Sequence, residues 1–144
     1  MTRSTPYPPD PEVLAALPHI FVDRSIGAVQ APALLRAAGF VITTMREHYG
    51  EFEAQRTADT TWIELTAERG WIAFHKDANI RRNRAERHAV QVSGARMFCV
   101  PKADLTAAAL VERFVVNAEA IADAVQDVGP FIYSVQPRQI VRLL

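Results

Sequence analysis

His19-Ile20-Phe21-Val22-Asp23-Arg24-Ser25-Ile26-Gly27 is the stretch that decides the fold. A short apolar run ends abruptly on an aspartate and passes into a glycine-closed turn. This is the pattern of a strand buried on both faces. Downstream, Ala31 to Ala38 predicts a helix, with Pro32 in its first turn and Gly39 as its stop. Phe40-Val41-Ile42-Thr43-Thr44 predicts a second strand rich in β-branched residues. The same punctuation recurs three more times. Trp71-Ile72-Ala73-Phe74 runs into His75-Lys76-Asp77, Arg96-Met97-Phe98-Cys99-Val100 stops at Pro101, and Phe131 to Val135 follows Gly129-Pro130. Thr60 to Arg69, Asn83 to Val92 and a long helix from about Thr106 to Val125 fill the gaps, Asn83 and Glu86 forming a capping-box pair. Strands alternating with helices define an α/β fold of three layers around a mostly parallel sheet.

Two segments stand outside that alternation. Residues 1–18 carry five prolines and read as a proline-rich arm with no part in the sheet, apart from a short helix beginning at Pro11; the globular domain is placed at 19–144. Arg46 to Ala58 has no clear periodicity and is expected to be a mobile polar loop.

Composition sets limits on function. Sixteen basic and sixteen acidic side chains cancel, so any attraction for a polyanion must be local. Cys99 is the single cysteine, which excludes an internal disulfide, and its apolar setting suits a buried hydrophobe. No apolar stretch reaches bilayer-spanning length and the prolines break any signal peptide, so the cytoplasm is the expected compartment. There is no GxxxxGK phosphate cradle, no GxGxxG fingerprint and no serine in a nucleophile-elbow setting.

Acidic residues carry the chemistry that remains. Right-handed crossovers bring all strand ends to one sheet edge, so Asp23 after the first strand and Asp77 after the third share it. Carboxylates gathered there need a cation or a hydrogen-bond shell. Asp104 follows the fourth strand on the same edge, either as a further ligand or as a helix cap. Asp59 opens the helix that feeds the third strand; simple topology places that start at the opposite edge, and Asp59 then reads as an N-cap. An all-oxygen set favours Mg²⁺ or Mn²⁺. Lys76, Arg81, Arg82, Arg84 and Arg87 surround Asp77, a local basic patch suited to a phosphodiester backbone, with Lys76 and Arg81 foremost; a solvated helix face is the ordinary alternative. His75 either contacts substrate or packs beneath the site, and His48 lies within reach of RNA if its loop closes on the crevice. Trp62 and Trp71 read as core anchors.

Phe21-Val22-Asp23-Arg24-Ser25-Ile26-Gly27, Leu34 to Phe40, Asp59-Thr60-Thr61-Trp62 and Gly70 to Asp77 with Ile80-Arg81 resemble, in order and spacing, the PIN-like domains of bacterial toxin–antitoxin ribonucleases, and most closely their compact VapC45-like branch. The resemblance spans roughly residues 19 to 135. It implies a Mg²⁺- or Mn²⁺-dependent endoribonuclease with Asp23, Asp59 and Asp77 as catalytic metal ligands, Asp104 as the nearest candidate for a fourth, and Lys76 assisting the leaving oxygen. It matches Arg81 to the basic residue after the strand and His48 to a loop histidine, while His75 replaces the threonine usual before Lys-Asp. Arg84 and His75 join them as candidate substrate contacts. An RNA substrate, a small antitoxin partner and a possible homodimer are implied with it. The competing function is a PIN-like module that binds RNA or protein without cutting.

Overall fold

The computed structural model describes residues 8–76, 80, 82–101 and 104–144. Its elements run α1 (Pro11–Ala16), β1 (Ile20–Val22), a 3-10 turn (Arg24–Ile26), α2 (Gln30–Ala37), β2 (Ile42–Thr44), α3 (Met45–Tyr49), α4 (Glu51–Ala54), α5 (Asp59–Glu68), β3 (Ile72–His75), α6 (Arg84–Ser93), β4 (Arg96–Cys99), α7 (Ala107–Val116), α8 (Ala118–Ala124), β5 (Phe131–Val135) and β6 (Ile140–Arg142). The strands form one sheet in the order β2-β1-β3-β4-β5-β6, parallel throughout except for the antiparallel pairing of β6 on β5. The chain steps from β1 outward to β2 and returns past β1 to β3. The neighbouring ends of β1 and β3 are therefore the topological switch point, where the two connections leave in opposite directions and open a crevice.

Both faces of the sheet are covered, as uninterrupted burial along β1 and β3 requires. One core joins Ile20, Val22, Ile72, Phe74 and Phe98 to α2, α7 and α8, with Phe74 stacked on Phe114 at 3.9 Å between ring centroids. The other joins Phe21, Ala73 and Met97 to Trp62 and Ile63 of α5 and to Ala89 and Val90 of α6. Cys99 is buried in this second core. Among the described residues no helix is long and apolar enough to cross a membrane.

Several expectations are corrected. The proline-rich arm adds no strand to the sheet, but its helix rests on the domain: Val13, Leu14 and Leu17 of and after α1 pack against the first core. Leu14 sits so close over Gly39 that a β-carbon there would stand 2.7 Å from its Cδ1. The segment 46–58 is not a plain loop. Thr44 accepts the Glu47 backbone N–H (3.0 Å), Glu47 accepts the Thr44 N–H (3.0 Å), and this reciprocal cap starts α3. Gly50, at φ +89°, then turns the chain into α4. The last long helix is two helices, broken at buried Asn117, whose amide donates to the carbonyls of Arg113 (2.9 Å) and Gln136 (2.7 Å). β6 had no counterpart in the sequence reading.

Candidate active site

Asp23 is built by the strand that precedes it. Its backbone N–H donates to the Phe74 carbonyl (3.2 Å), continuing the β1–β3 ladder by one residue and holding the side chain at the switch point. Asp23 is 2% exposed. Its Oδ2 accepts from Ser25 Oγ at 2.8 Å, while Oδ1 is buried with no hydrogen bond among the described residues. Burial is the main reason its pKa is raised, and the neighbouring Asp59 charge adds to the rise. The Ser25 hydrogen bond, the Arg24 backbone N–H and the Arg24 charge oppose it. A carboxylate in that state lacks a counter-charge on one oxygen.

Ser25 has a second partner. Its Oγ accepts the backbone N–H of Lys76 at 2.9 Å, so one hydroxyl ties the end of β1 to the residue after β3. Neither this clip nor the role of Arg24 was read from the sequence. Arg24 donates to the carbonyls of Ala54 (3.1 Å) and Thr57 (3.0 Å), reaches Met45 Sδ (3.5 Å), and pairs with Asp59 Oδ1 at 3.4 Å. Its partners lie 21 to 35 residues away, a separation no local pattern reveals.

Asp59 is brought to the same edge. The N-cap of α5 is Ala58, and Asp59 is the first helical residue, so the N-cap reading of Asp59 does not hold. Its Oδ1 instead accepts from Trp62 Nε1 at 2.8 Å, one turn along the helix. The expectation that this helix begins at the opposite edge is also corrected. A crossover helix leaves one parallel strand and returns to the amino end of the next, so it runs antiparallel to both and its first turn lies by their carboxyl ends. Trp62, fully buried in the second core, is therefore both a core anchor and the donor that orients the Asp59 carboxylate.

The other candidates are placed as follows, where the structure describes them. Asp77 and Arg81 lie outside the described residues. Lys76 is half-buried and lines a cavity of about 370 Å³ with Gly27, Ala28 and Leu110. His75 is 1% exposed beneath the edge, its ring 6.2 Å from that of Trp62, which fits the packing role and closes it off from a bound chain. His48 is half-buried on α3 against Phe21, Tyr49 and Trp71. Burial and then the Arg69 charge lower its pKa, and both Arg69 and Trp71 sit at the amino edge of the sheet, away from the acids. Arg84 is exposed at the start of α6. Asp104 is exposed after β4, and the cap of α7 is Thr106, which accepts the Ala109 N–H at 3.1 Å. Among the described residues no three His, Cys, Asp or Glu side chains converge, so Asp104 does not complete a trio with Asp23 and Asp59.

A three-layer α/β sandwich of this strand order, with a buried carboxylate at its switch point and a second at the start of a crossover helix, is the architecture of the PIN-like class. A family model described as "PIN like domain" matches residues 18–102, and the chain belongs to this family. A Mycobacterium tuberculosis protein named "Putative ribonuclease VapC45" is 60% identical to it over 136 residues, covering 94% of this chain and 99% of that protein. No solved structure matches the chain.

Proposed function

We propose that the protein is a divalent-metal-dependent endoribonuclease and the toxin of a toxin–antitoxin pair. The observation that carries this reading is the Asp23 carboxylate. It is buried, it lacks a partner on Oδ1 among the described residues, and it lies near enough to Asp59 for the two charges to repel. A pair of aspartates that raises the cost of its own ionisation fits a hard cation, and the donors are all oxygen, as Mg²⁺ and Mn²⁺ prefer. Asp23 and Asp59 would hold the ion, with Asp77 from the end of β3. When bound, the ion supplies Lewis-acid polarisation and counter-charge at the phosphoryl group.

The chain's own residues do the rest. Trp62 and Arg24 fix Asp59 in one orientation, and Ser25 fixes Asp23 against the end of β3. Lys76, tethered through its N–H to Ser25, places positive charge beside the phosphodiester, and Arg81 and Arg84 extend the grip along the backbone. Water adds to phosphorus as the bond to O3′ breaks. One product carries a 5′-phosphate, and the other a 3′-hydroxyl that takes a proton. The name of the Mycobacterium tuberculosis relative supports ribonuclease activity, and the family resemblance supports RNA as substrate, a small antitoxin as partner, homodimerisation and a cytoplasmic site of action.

Calorimetric titration with Mn²⁺, run beside cleavage of a labelled RNA, tests the proposal. Wild type should bind the ion, gain melting temperature by mass action and release 5′-phosphorylated fragments. Asp23→Asn, Asp59→Asn and Asp77→Asn should each lose both binding and cutting. RNA bound equally well with and without metal, and never cut, would make this a PIN-like binding module instead.

A further inference from the structure

We propose that a cavity beside the acidic pair, enclosed by the α3–α4 segment, is a nucleobase subsite that sets which base the enzyme accepts next to the scissile phosphate. This rests on the nuclease reading above. The cavity measures about 210 Å³, room for one planar ring system and too little for a helix or a folded partner. It opens at the carboxyl ends of β1 and β2, where Val22 and Thr44 line it. Asp23 is the residue after Val22, and Arg24 stands in the cavity wall while touching Asp59. A nucleotide whose phosphate lies at the acids therefore has its base within one residue's reach of the opening.

The lining suits a base rather than a phosphate. Val22, Ala28, Met45 and Ala54 offer apolar faces, and Met45 adds a polarisable thioether. The charges in the wall are paired with one another or with the acidic site, Arg46 with Glu51 at 3.4 Å and Arg24 with Asp59 at 3.4 Å. What the wall then offers a ligand is neutral: the Gln55 amide, a donor and an acceptor together, and beside it the Thr44 hydroxyl, which suits the hydrogen-bonding edge of an uncharged ring. On the other side of the Gly27–Ala28 turn lies the cavity walled by Lys76. A chain laid across that turn meets a cation on one side and a neutral, ring-sized pocket on the other. The pocket's wall is the segment that α3 and α4 bring over the edge, which gives these two short helices a role.

Methionine supplies the probe. The chain has three methionines; Met45 lines the cavity, and Met97, fully buried in the second core, serves as control. Full-length protein carrying ¹³C-methyl methionine is titrated with the four nucleoside 5′-monophosphates. The Met45 signal should move while Met97 stays, with apparent Kd values spread by ~10-fold between best and worst base, the effect of one set of hydrogen bonds. Ala28→Phe, at an exposed position, should fill the cavity and abolish the Met45 response with the Met97 signal intact. On a randomised RNA the same variant should raise KM and flatten the base preference beside the cleaved bond. A Met45 signal that answers to no mononucleotide, that answers to all four alike, or that still responds in Ala28→Phe overturns the subsite. Gln55→Ala gives an independent check, since unchanged base preference there would also count against it. If wild type cuts no RNA, the nuclease reading fails on its own, and the Met45 titration still decides the pocket.

Discussion

Replacing Arg24 with alanine should destabilise the protein by more than any other single change to an exposed charge at this edge. The guanidinium makes two short hydrogen bonds to backbone carbonyls, at 3.1 and 3.0 Å, and one ion pair at 3.4 Å. Bonds from a charged donor are worth about 1.5–3 kcal/mol when dry. The Arg24 side chain is 41% exposed, so water replaces part of that, and about 1 kcal/mol for each carbonyl bond is the appropriate scale. The ion pair adds roughly 0.5 kcal/mol at this exposure. The expected loss is therefore ~2–3 kcal/mol, or roughly 6–10 °C in melting temperature for a domain of this size. Urea unfolding at equilibrium measures it, and Arg24→Lys should recover less than half, since one ammonium cannot serve carbonyls and carboxylate together. Amide exchange should quicken across residues 55–61 and stay unchanged in β4 and β5. A loss below ~0.5 kcal/mol, the level of an ordinary surface substitution, would refute the claim that Arg24 fastens the α4–α5 connection to the acidic edge.

Two further outcomes follow from the same structure. Asp23→Asn should stabilise the metal-free protein at neutral pH by about 1 kcal/mol, a common size for relieving a functional site. The folded-state pKa of Asp23 is raised above its ordinary 3.8, chiefly by burial, so its penalty is complete above the raised value; the advantage of the variant, followed by thermal unfolding against pH, should shrink as pH falls through that value toward 3.8. Deleting residues 1–17 should cost ~2–3 kcal/mol in urea unfolding, because Val13, Leu14 and Leu17 are partly buried against the first core at about 1 kcal/mol each; an unchanged midpoint would show the arm to be dispensable.

The parts of the fold legible in the sequence were those written locally. The five parallel strands are apolar or β-branched runs, each with an aspartate, proline or glycine close to one end, and period and punctuation suffice to find them. β6 escaped because Ile140-Val141-Arg142 is a three-residue edge strand behind Pro137, with exposed residues and no alternation to detect. α3 escaped although its capping box, Thr44 to Glu47, stands in the sequence, because no apolar run follows to declare a helix. In the sequence Asn117 is a single polar residue between the apolar positions Leu110, Phe114, Ile121 and Val125. That it ends one helix and begins another depends on the Gln136 carbonyl, which the amide meets only in the folded chain.

The acidic site divides along the same line. Asp23 could be assigned to the carboxyl edge from strand order alone, because parallel strands send all their ends the same way; Asp77, assigned there by the same reasoning, lies outside the described residues. Asp59 needed only one further step of the same reasoning: the helix between two parallel strands must run back against them, so its first residues belong to the strands' carboxyl edge. Its proximity to Asp23 follows from topology without any resemblance. The orientation of its carboxylate does not. That depends on Trp62, which the helical spacing of three residues makes available, and on Arg24, which contacts it across 35 positions of sequence. Fixed orientation is what the proposed metal site requires of two aspartates that otherwise merely end a strand and start a helix. In this chain it is supplied by residues whose identities, an indole and a guanidinium, look like ordinary core and surface choices until the fold brings them together.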